Sequence, residues 1–332
     1  MKYLSLFLIC FGFACGQRNK QPTDYVNPLL GTATLWTPED LGYQRTWKER
    51  TWGAEVFPGS SVPNAMVQLS PVTQFRSGAG YQYEDTVIYG FSHTNKGHWN
   101  LLHLPMLPAT GEINPDNYQS RYNHNREAAH PGYYQVFLER YGINAELTST
   151  LRCGFHKYSF PKDADKQLIV DITRTNNRVS EWDISKTGNN IFEGYQNAGE
   201  TMFFYAVANF EVADIEHPKS EKREVAVVKF KDSKSGEPLE LKIGFSFVSV
   251  ENAKQNLEAE MIDKTFYQVR SEAVETWNAL LSHITVTGGT EREKGLFYSC
   301  LYRSFLWPAL RSDVNGDYPI GRRGGKANGG FR

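Results

Sequence analysis

Cysteine is scarce in this sequence: there are four in 332 residues, with no Cys-x-x-Cys pair among them. The thiolate spacing of a structural zinc site is therefore missing. There is no run of Lys or Arg and no basic stripe, and the formal net charge is -1. A nucleic-acid surface needs the cationic patch that is lacking here. No apolar run is long enough to hold a bilayer-spanning anchor, and no internal repeat or low-complexity stretch stands out. What is present is a 40% hydrophobic composition, enough for a sizeable core in a chain longer than one typical domain.

The N-terminus is patterned for export. Lys2 precedes the apolar run Tyr3 to Ala14, and Cys15-Gly-Gln-Arg-Asn-Lys20 turns abruptly polar. Such a run reads as a secretory leader. Ala14 before Cys15 resembles a bacterial lipoprotein cleavage site, although Gly12 stands where Leu is usual. An ordinary signal peptide is the alternative. The expectation is that residues 1–20 are leader and tether, that Cys15 is lipidated, and that the protein is an exported periplasmic or cell-surface lipoprotein of a Gram-negative bacterium. It would touch a membrane only through that lipid. Cys153 and Cys300 then remain as the free pair. Nothing in their spacing argues a disulfide, and a buried thiol is expected of each.

From Tyr25 to about Val250 the punctuation is that of a β protein. Runs such as Asn64–Ser70, Tyr133–Leu138, Ala145–Arg152, Gly154–Phe160, Gln167–Thr173, Met202–Asn209 and Leu241–Val248 are separated by Gly, Pro, Asn and Asp clusters. Apolar and polar residues alternate in Ala145–Arg152, the mark of a sheet with one wet face. Many short strands without helical pattern between them predict a large antiparallel β-sandwich over residues 21–249.

The period changes near Ser249. Val250–Met261 is made of helix formers. Phe266, Val269, Ala273, Trp277, Leu280 and Leu281 recur at three- and four-residue steps, a stripe that helices bury as core. Gly288-Gly289 breaks this pattern. Thr290 then caps another helix, with Glu291 and Glu293 in its first turn and an apolar face of Leu296, Phe297, Cys300, Leu301 and Phe305. Pro308 ends or kinks it. Residues 250–287 are expected to be a helical linker and 288–332 the start of a helical domain. Asp313, Asn315 and Asp317 have the alternation of a calcium loop, but Tyr318 stands at the glycine position and the closing glutamate is missing, so the segment reads as a turn.

One loop concentrates chemistry: Gly90-Phe-Ser-His-Thr-Asn-Lys-Gly-His-Trp-Asn-Leu-Leu-His-Leu-Pro105. His93, His98 and His103 fall at five-residue intervals, which gives neither a helical nor a strand face in common. Three readings stay open: a metal site, structural histidines that bond to backbone groups, or a sugar subsite. For the last, His, Asn and Lys supply directional hydrogen bonds and Trp99 a flat apolar face.

Several segments together resemble glycoside hydrolase family 92, the bacterial α-mannosidases. They are Tyr25-Val-Asn-Pro-Leu-Leu-Gly-Thr32, Val67-Gln-Leu-Ser-Pro71, Gly80-Tyr-Gln-Tyr-Glu-Asp85, Tyr89-Gly-Phe-Ser-His-Thr94, Pro131–Leu138, Glu146-Leu-Thr148, Gly154–Tyr158, Trp277-Asn278 and Ser312-Asp-Val-Asn-Gly-Asp317. Each motif is weak alone, and their shared order carries the resemblance. It implies a β-sandwich, helical connectors and then an (α/α)6 barrel, of which this chain would hold only the truncated start. It further implies calcium-dependent, inverting removal of terminal α-mannose from a mannose-containing glycan. The two catalytic carboxylates, and most calcium ligands, are expected beyond the end of the chain. The alternative is a non-catalytic carbohydrate-binding or remnant sandwich protein.

In that resemblance the Phe-Ser-His-Thr segment lies on the sandwich side of an interdomain cleft. His93, Asn95, His98 and Trp99 are then expected to line the sugar side, with Asp313 and Asn315 near its rim. The sequence departs from the family's frequent His-Leu-Ser-Gly continuation at Asn95–Trp99. Arg76 stands where many members place tryptophan before the Gly-Tyr motif, so α-1,2 specificity is not carried over. Glu84 and Asp85, read as neighbours on a strand, would point to opposite faces and so cannot flank one glycosidic bond.

Overall fold

The computed structural model describes residues 20–35, 42, 53–95, 100–231 and 235–320, and the backbone of 326–328. The strands in chain order begin with β1 (Ser70–Val72), β2 (Val87–Ile88), β3 (Gly90–Ser92), β4 (Met106–Ala109) and β5 (Ser120–Arg121). Next come β6 (Glu127–His130), β7 (Tyr133–Leu138), β8 (Ile143–Ser149), β9 (Cys153–Ser159), β10 (Gln167–Val170) and β11 (Glu181–Lys186). The last of the sandwich are β12 (Ile191–Asn197), β13 (Thr201–Ala208), β14 (Val212–Glu216), β15 (Ala226–Phe230) and β16 (Leu239–Ser246). They form an eight-stranded sheet, order β11-β12-β13-β16-β9-β8-β7-β6, and a six-stranded sheet, order β1-β3-β4-β10-β15-β14. β2 and β5 pair separately.

Side-chain alternation explains the sandwich. Along β12 and β13 every second residue is buried, and Phe192, Met202, Phe204 and Ala206 enter the core. β16 does the same with Leu239, Leu241, Ile243 and Phe245. From the six-stranded sheet, β10 and β4 are buried throughout and contribute Leu168, Ile169, Met106 and Leu107. One contiguous core thus fills the space between the two sheets, as in aligned sandwiches. The expected strand at Asn64–Ser70 is mostly absent. Asn64 lies in a turn at φ 54°, Leu69 bridges Ser60, and only Ser70 enters β1.

Three helices follow: α1 (Val250–Glu260), α2 (Phe266–Leu281) and α3 (Glu291–Ser304). Each has a hydroxyl N-cap: Ser249 accepts from Asn252 N–H, and Thr265 and Thr290 form capping boxes with Gln268 and Glu293. α1 lies on the outer face of the eight-stranded sheet. At Gly244 the approach is so close that a Cβ would sit 2.1 Å from the Ala253 carbonyl oxygen. The α2 stripe is buried as expected at Phe266, Val269, Ala273, Trp277 and Leu281.

The face of α3 differs from the expectation. Tyr298, Ser299 and Tyr302 are buried, whereas Leu296 is 55% exposed and Cys300 is also exposed. The reason is the N-terminal segment, which packs on the other stripe. Tyr25 stacks on Tyr298 at 5.5 Å, and Asn27 N–H donates to Ser299 Oγ at 2.9 Å. Thr23 donates from N–H and Oγ1 to Asn278 Oδ1, and Val26 shares a small core with Trp277, Phe57 and Tyr302. The first and last quarters of the chain are thus held together. Cys153 is buried, and that burial pushes its thiol pKa well up.

Candidate functional site

The segment between β3 and β4 is described at residues 93–95 and 100–105; residues 96–99 lie outside the described residues, so His98 and Trp99 are not placed. Its stem is closed by internal bonds. His93 N–H donates to the His103 carbonyl, Leu102 N–H to the Thr94 carbonyl, and His103 N–H to Thr94 Oγ1 at 2.9 Å. Thr94 Oγ1 also lies 3.0 Å from His103 Nδ1. Leu102 and Leu104 have φ of 59° and 50°, a left-handed backbone that leucine rarely adopts. Leu104 is held there by Gln196, whose Oε1 accepts its N–H at 2.7 Å.

The placement of His93 and Asn95 corrects the expectation that they face a sugar. His93 has no exposed surface. Its Nε2 lies 3.0 Å from His156 Nε2, and its ring packs on Phe245 at 4.4 Å between centroids. His156 continues the chain to Tyr158 Oη at 2.6 Å. Burial lowers both imidazole pKa values, that of His93 to about 3, so the pair is neutral inside the sandwich. Asn95 is equally buried and bonds through Nδ2 to Ser92 Oγ and the Gln68 carbonyl, each at 2.9 Å. A side chain without surface offers nothing to a ligand arriving from solvent. Both side chains are engaged inside the sandwich, His93 by another side chain rather than by a backbone group and Asn95 in part by the Gln68 carbonyl.

The acidic turn is also anchored. Asp313, 2% exposed, accepts from Ser246 Oγ at 2.7 Å, Asn252 Nδ2 at 2.8 Å and Asn256 Nδ2 at 2.7 Å. Asn315 sits at the surface, its Oδ1 accepting from Asp317 N–H and its Nδ2 reaching Asn252, Gln255 and Asp317. Arg152 fixes the approach to this turn. It donates from Nε to the Ser312 carbonyl and from Nη1 to Glu260 Oε1, both at 2.7 Å. Asn252 and Asn256 were missed by sequence reasoning. Their signal was available: two amides four residues apart on one helix face, in a position otherwise given to apolar residues.

The predicted residues therefore do not converge. Phe245, which packs on His93, points into the core, and the next residue, Ser246, bonds Asp313 on the α1 side. Successive strand residues face opposite sides, so His93 and Asp313 are separated by the sheet itself. Where the β3–β4 loop meets the segment after α3, Met66, Gln68, Thr94, Phe247, Trp307 and Arg311 enclose about 10 Å³, scarcely the room for one water. Arg311 closes this seam, with Nη1 2.9 Å from Glu200 Oε2 and its guanidinium 4.0 Å from the Phe247 ring.

Comparison with known proteins agrees with this architecture. The sequence profile of the Glycosyl hydrolase family 92 N-terminal domain matches residues 25–246, and that of the Glycosyl hydrolase family 92 catalytic domain matches 252–328. The chain belongs to glycosyl hydrolase family 92. Among solved structures, it resembles the family GH92 α-mannosidase BT3965 of Bacteroides thetaiotaomicron, with 25% identity and a TM-score of 0.80 over 93% of this chain and 44% of that one. The family GH92 inverting mannosidase BT2199 of B. thetaiotaomicron VPI-5482 gives 25% identity and 0.78 over 94% and 44%. The chain thus spans less than half the length of these enzymes. No curated protein matches it.

Family 92 membership implies calcium, but the donors described here do not fit it. No group of three or more His, Cys, Asp or Glu side chains among the described residues is arranged to hold a metal ion. In the Asp313 turn, the carboxylate already accepts three hydrogen bonds, from Ser246, Asn252 and Asn256. The other acidic pair is no better placed. Glu84 lies in a turn rather than on a strand and accepts from Thr34 N–H and Oγ1, while Asp85 accepts from Thr73 Oγ1. No helix of the described residues is long and apolar enough to cross a membrane.

Proposed function

We propose that this family 92 chain is the sandwich and first helices of an exo-α-mannosidase that hydrolyses terminal α-mannosides of glycans with inversion. The observation that supports this is the adjoining match to both family domains, together with the likeness to a solved α-mannosidase and a solved inverting mannosidase of the family. A structure of BT3965 in complex with mannoimidazole supports a mannose-like ligand. Inversion needs an acid and a base separated by about 6.5–9.5 Å with a water between them. Glu84, Asp85, Asp313 and Asp317 are engaged in structural bonds, so the reading assigns acid and base to the part of the catalytic domain this chain does not span. What this chain contributes is the rigid sandwich wall. Of the residues expected to meet sugar, the reading keeps His98 for bonding hydroxyls and Trp99 for stacking on the pyranose, whereas Asn315 belongs to the Asp313 turn across the sheet and is not assigned to the same subsite.

The test is proton NMR of α-mannobioside hydrolysis by the product of the complete reading frame. The expected first product is β-mannose. Release of α-mannose, or of no mannose at all, overturns the reading. The 332-residue chain alone is expected to show no turnover. Export and tethering are proposed on the leader pattern. Mass spectrometry of the protein from a bacterial host is expected to find Cys15 as a lipid-modified first residue, and an intact Met1 or cleavage past Cys15 sinks that assignment.

A further inference from the structure

A groove of about 450 Å³ lies beside the β3–β4 loop, lined by Phe75, Arg76, Arg174, Thr175, Asn177 and Arg178 among others, with no carboxylate in its wall. Three arginines in one hollow need an explanation, because like charges repel. Arg174 and Arg178 are antiparallel bridge partners across a tight loop, an arrangement that disfavours two charges of one sign. Arg174 is built in. Its Nε donates to Asp171 Oδ2 at 2.9 Å, its Nη2 to Tyr118 Oη at 2.8 Å, and its plane lies 4.0 Å from the Phe75 ring and 4.5 Å from Tyr89. Asp171 thereby neutralises that one charge.

Arg76 and Arg178 are exposed and form no ion pair among the described residues. Arg76 is held at φ 57°, a strained conformation that persists only where its surroundings enforce it. Asn176 enforces it: Oδ1 accepts Arg76 N–H at 2.6 Å, and Nδ2 donates to the carbonyls of Ser77 and Asn100. One buried amide thus ties the arginine loop to the foot of the β3–β4 loop. Two guanidiniums without an ion-pair partner among the described residues thus border a groove whose remaining wall, Arg174 apart, is Phe75, Val179 and the Thr173, Thr175 and Asn177 side chains, which are themselves bonded to backbone carbonyls.

We propose that this groove is an anion-binding site, and that it takes an oxyanion carried by a sugar, either a sulfate ester or a carboxylate. Guanidinium forks match such groups with paired, charge-assisted hydrogen bonds. The sugar half of the proposal rests on the glycan reading above, and the anion half on the groove alone. Mannoside turnover does not enter the test, so the failure of either is seen separately.

The experiment is calorimetric titration of the 332-residue chain with mannose 6-sulfate, glucuronate, inorganic sulfate and neutral mannose at low ionic strength. A sugar anion is expected to bind at least as tightly as inorganic sulfate and more weakly as salt is added. The double variant Arg76→Gln/Arg178→Gln, altered only at exposed side chains, is expected to lose at least about tenfold in affinity. Arg76→Lys/Arg178→Lys should retain part of it. Unchanged affinity in the Gln variant, or no anion binding by the parent chain, overturns the site. Binding of inorganic sulfate with no response to either sugar anion overturns the sugar assignment.

Discussion

Trp277→Ala is expected to cost about 3–5 kcal/mol of folding stability, the range for truncating a fully buried aromatic. The indole has no exposed surface, and its ring centroid lies 4.4 Å from that of Tyr302. Its Nε1–H donates to the Ser61 carbonyl at 2.7 Å. The same cluster contains Val26 and Phe57, so one side chain joins the N-terminal segment, the edge of the sandwich, α2 and α3. Truncation leaves a cavity and also a buried carbonyl without its donor. Urea unfolding followed by tyrosine and tryptophan fluorescence measures the loss, and Trp277→Phe, which keeps most of the volume, should cost less than half as much. A loss below about 1 kcal/mol for Trp277→Ala, far under that range, would mean that the cluster does not hold the ends of the chain together.

This cluster shows how far the sequence could be read. The α2 stripe was legible because its apolar residues recur at a helical period with no competing pattern, and a helix covering a sheet has only one face to bury. The strands were legible where alternation was clean, as in β7, whose bounds Tyr133 and Leu138 coincide with the expected ones. α3 was misread for a physical reason. Two adjacent stripes carry aromatic or aliphatic residues, and the buried one consists of Tyr298, Ser299 and Tyr302. Its hydroxyls make it look wet until their distant partners are known. Ser299 is buried because Asn27, 272 residues earlier, needs an acceptor for its N–H.

The histidine-rich loop failed in a similar way. Residue types at a spacing say what chemistry is possible, but not which side of a sheet receives them. His93 meets a partner 63 residues away in β9, and Asp313 meets Asn252 and Asn256 of α1 on the other side. Strand order, which sets those encounters, is long-range information that local pattern does not carry. The arginine groove was half visible. Arg76 stood out in sequence as a departure, while Arg174 and Arg178 gained meaning only when the bridge between them placed both beside it.

The buried histidine pair makes the fold sensitive to acid. Free imidazole titrates near 6.5, whereas burial holds His93 at about 3 and lowers His156 as well, with the neighbouring His93 adding to the effect. The groups packed around His93 are His156, His103 and Phe245, and none is an acid that would favour the charged ring. With the folded-state pKa below the unfolded one, the unfolded chain binds more protons between those values. The contribution is therefore complete above pH 6.5 and is lost as pH falls toward 3. One histidine gives a slope of up to about 1.4 kcal/mol per pH unit, so about 2–3 kcal/mol is lost between pH 6.5 and 4.5. His93→Gln, which can still donate to His156 Nε2, should lower stability at pH 7 and flatten this slope by about that amount. Urea midpoints of both proteins across pH 4.5–7.5 decide it: parallel curves would show that His93 takes up its proton in the folded state as readily as in the unfolded one, and that the sandwich interior there is wet.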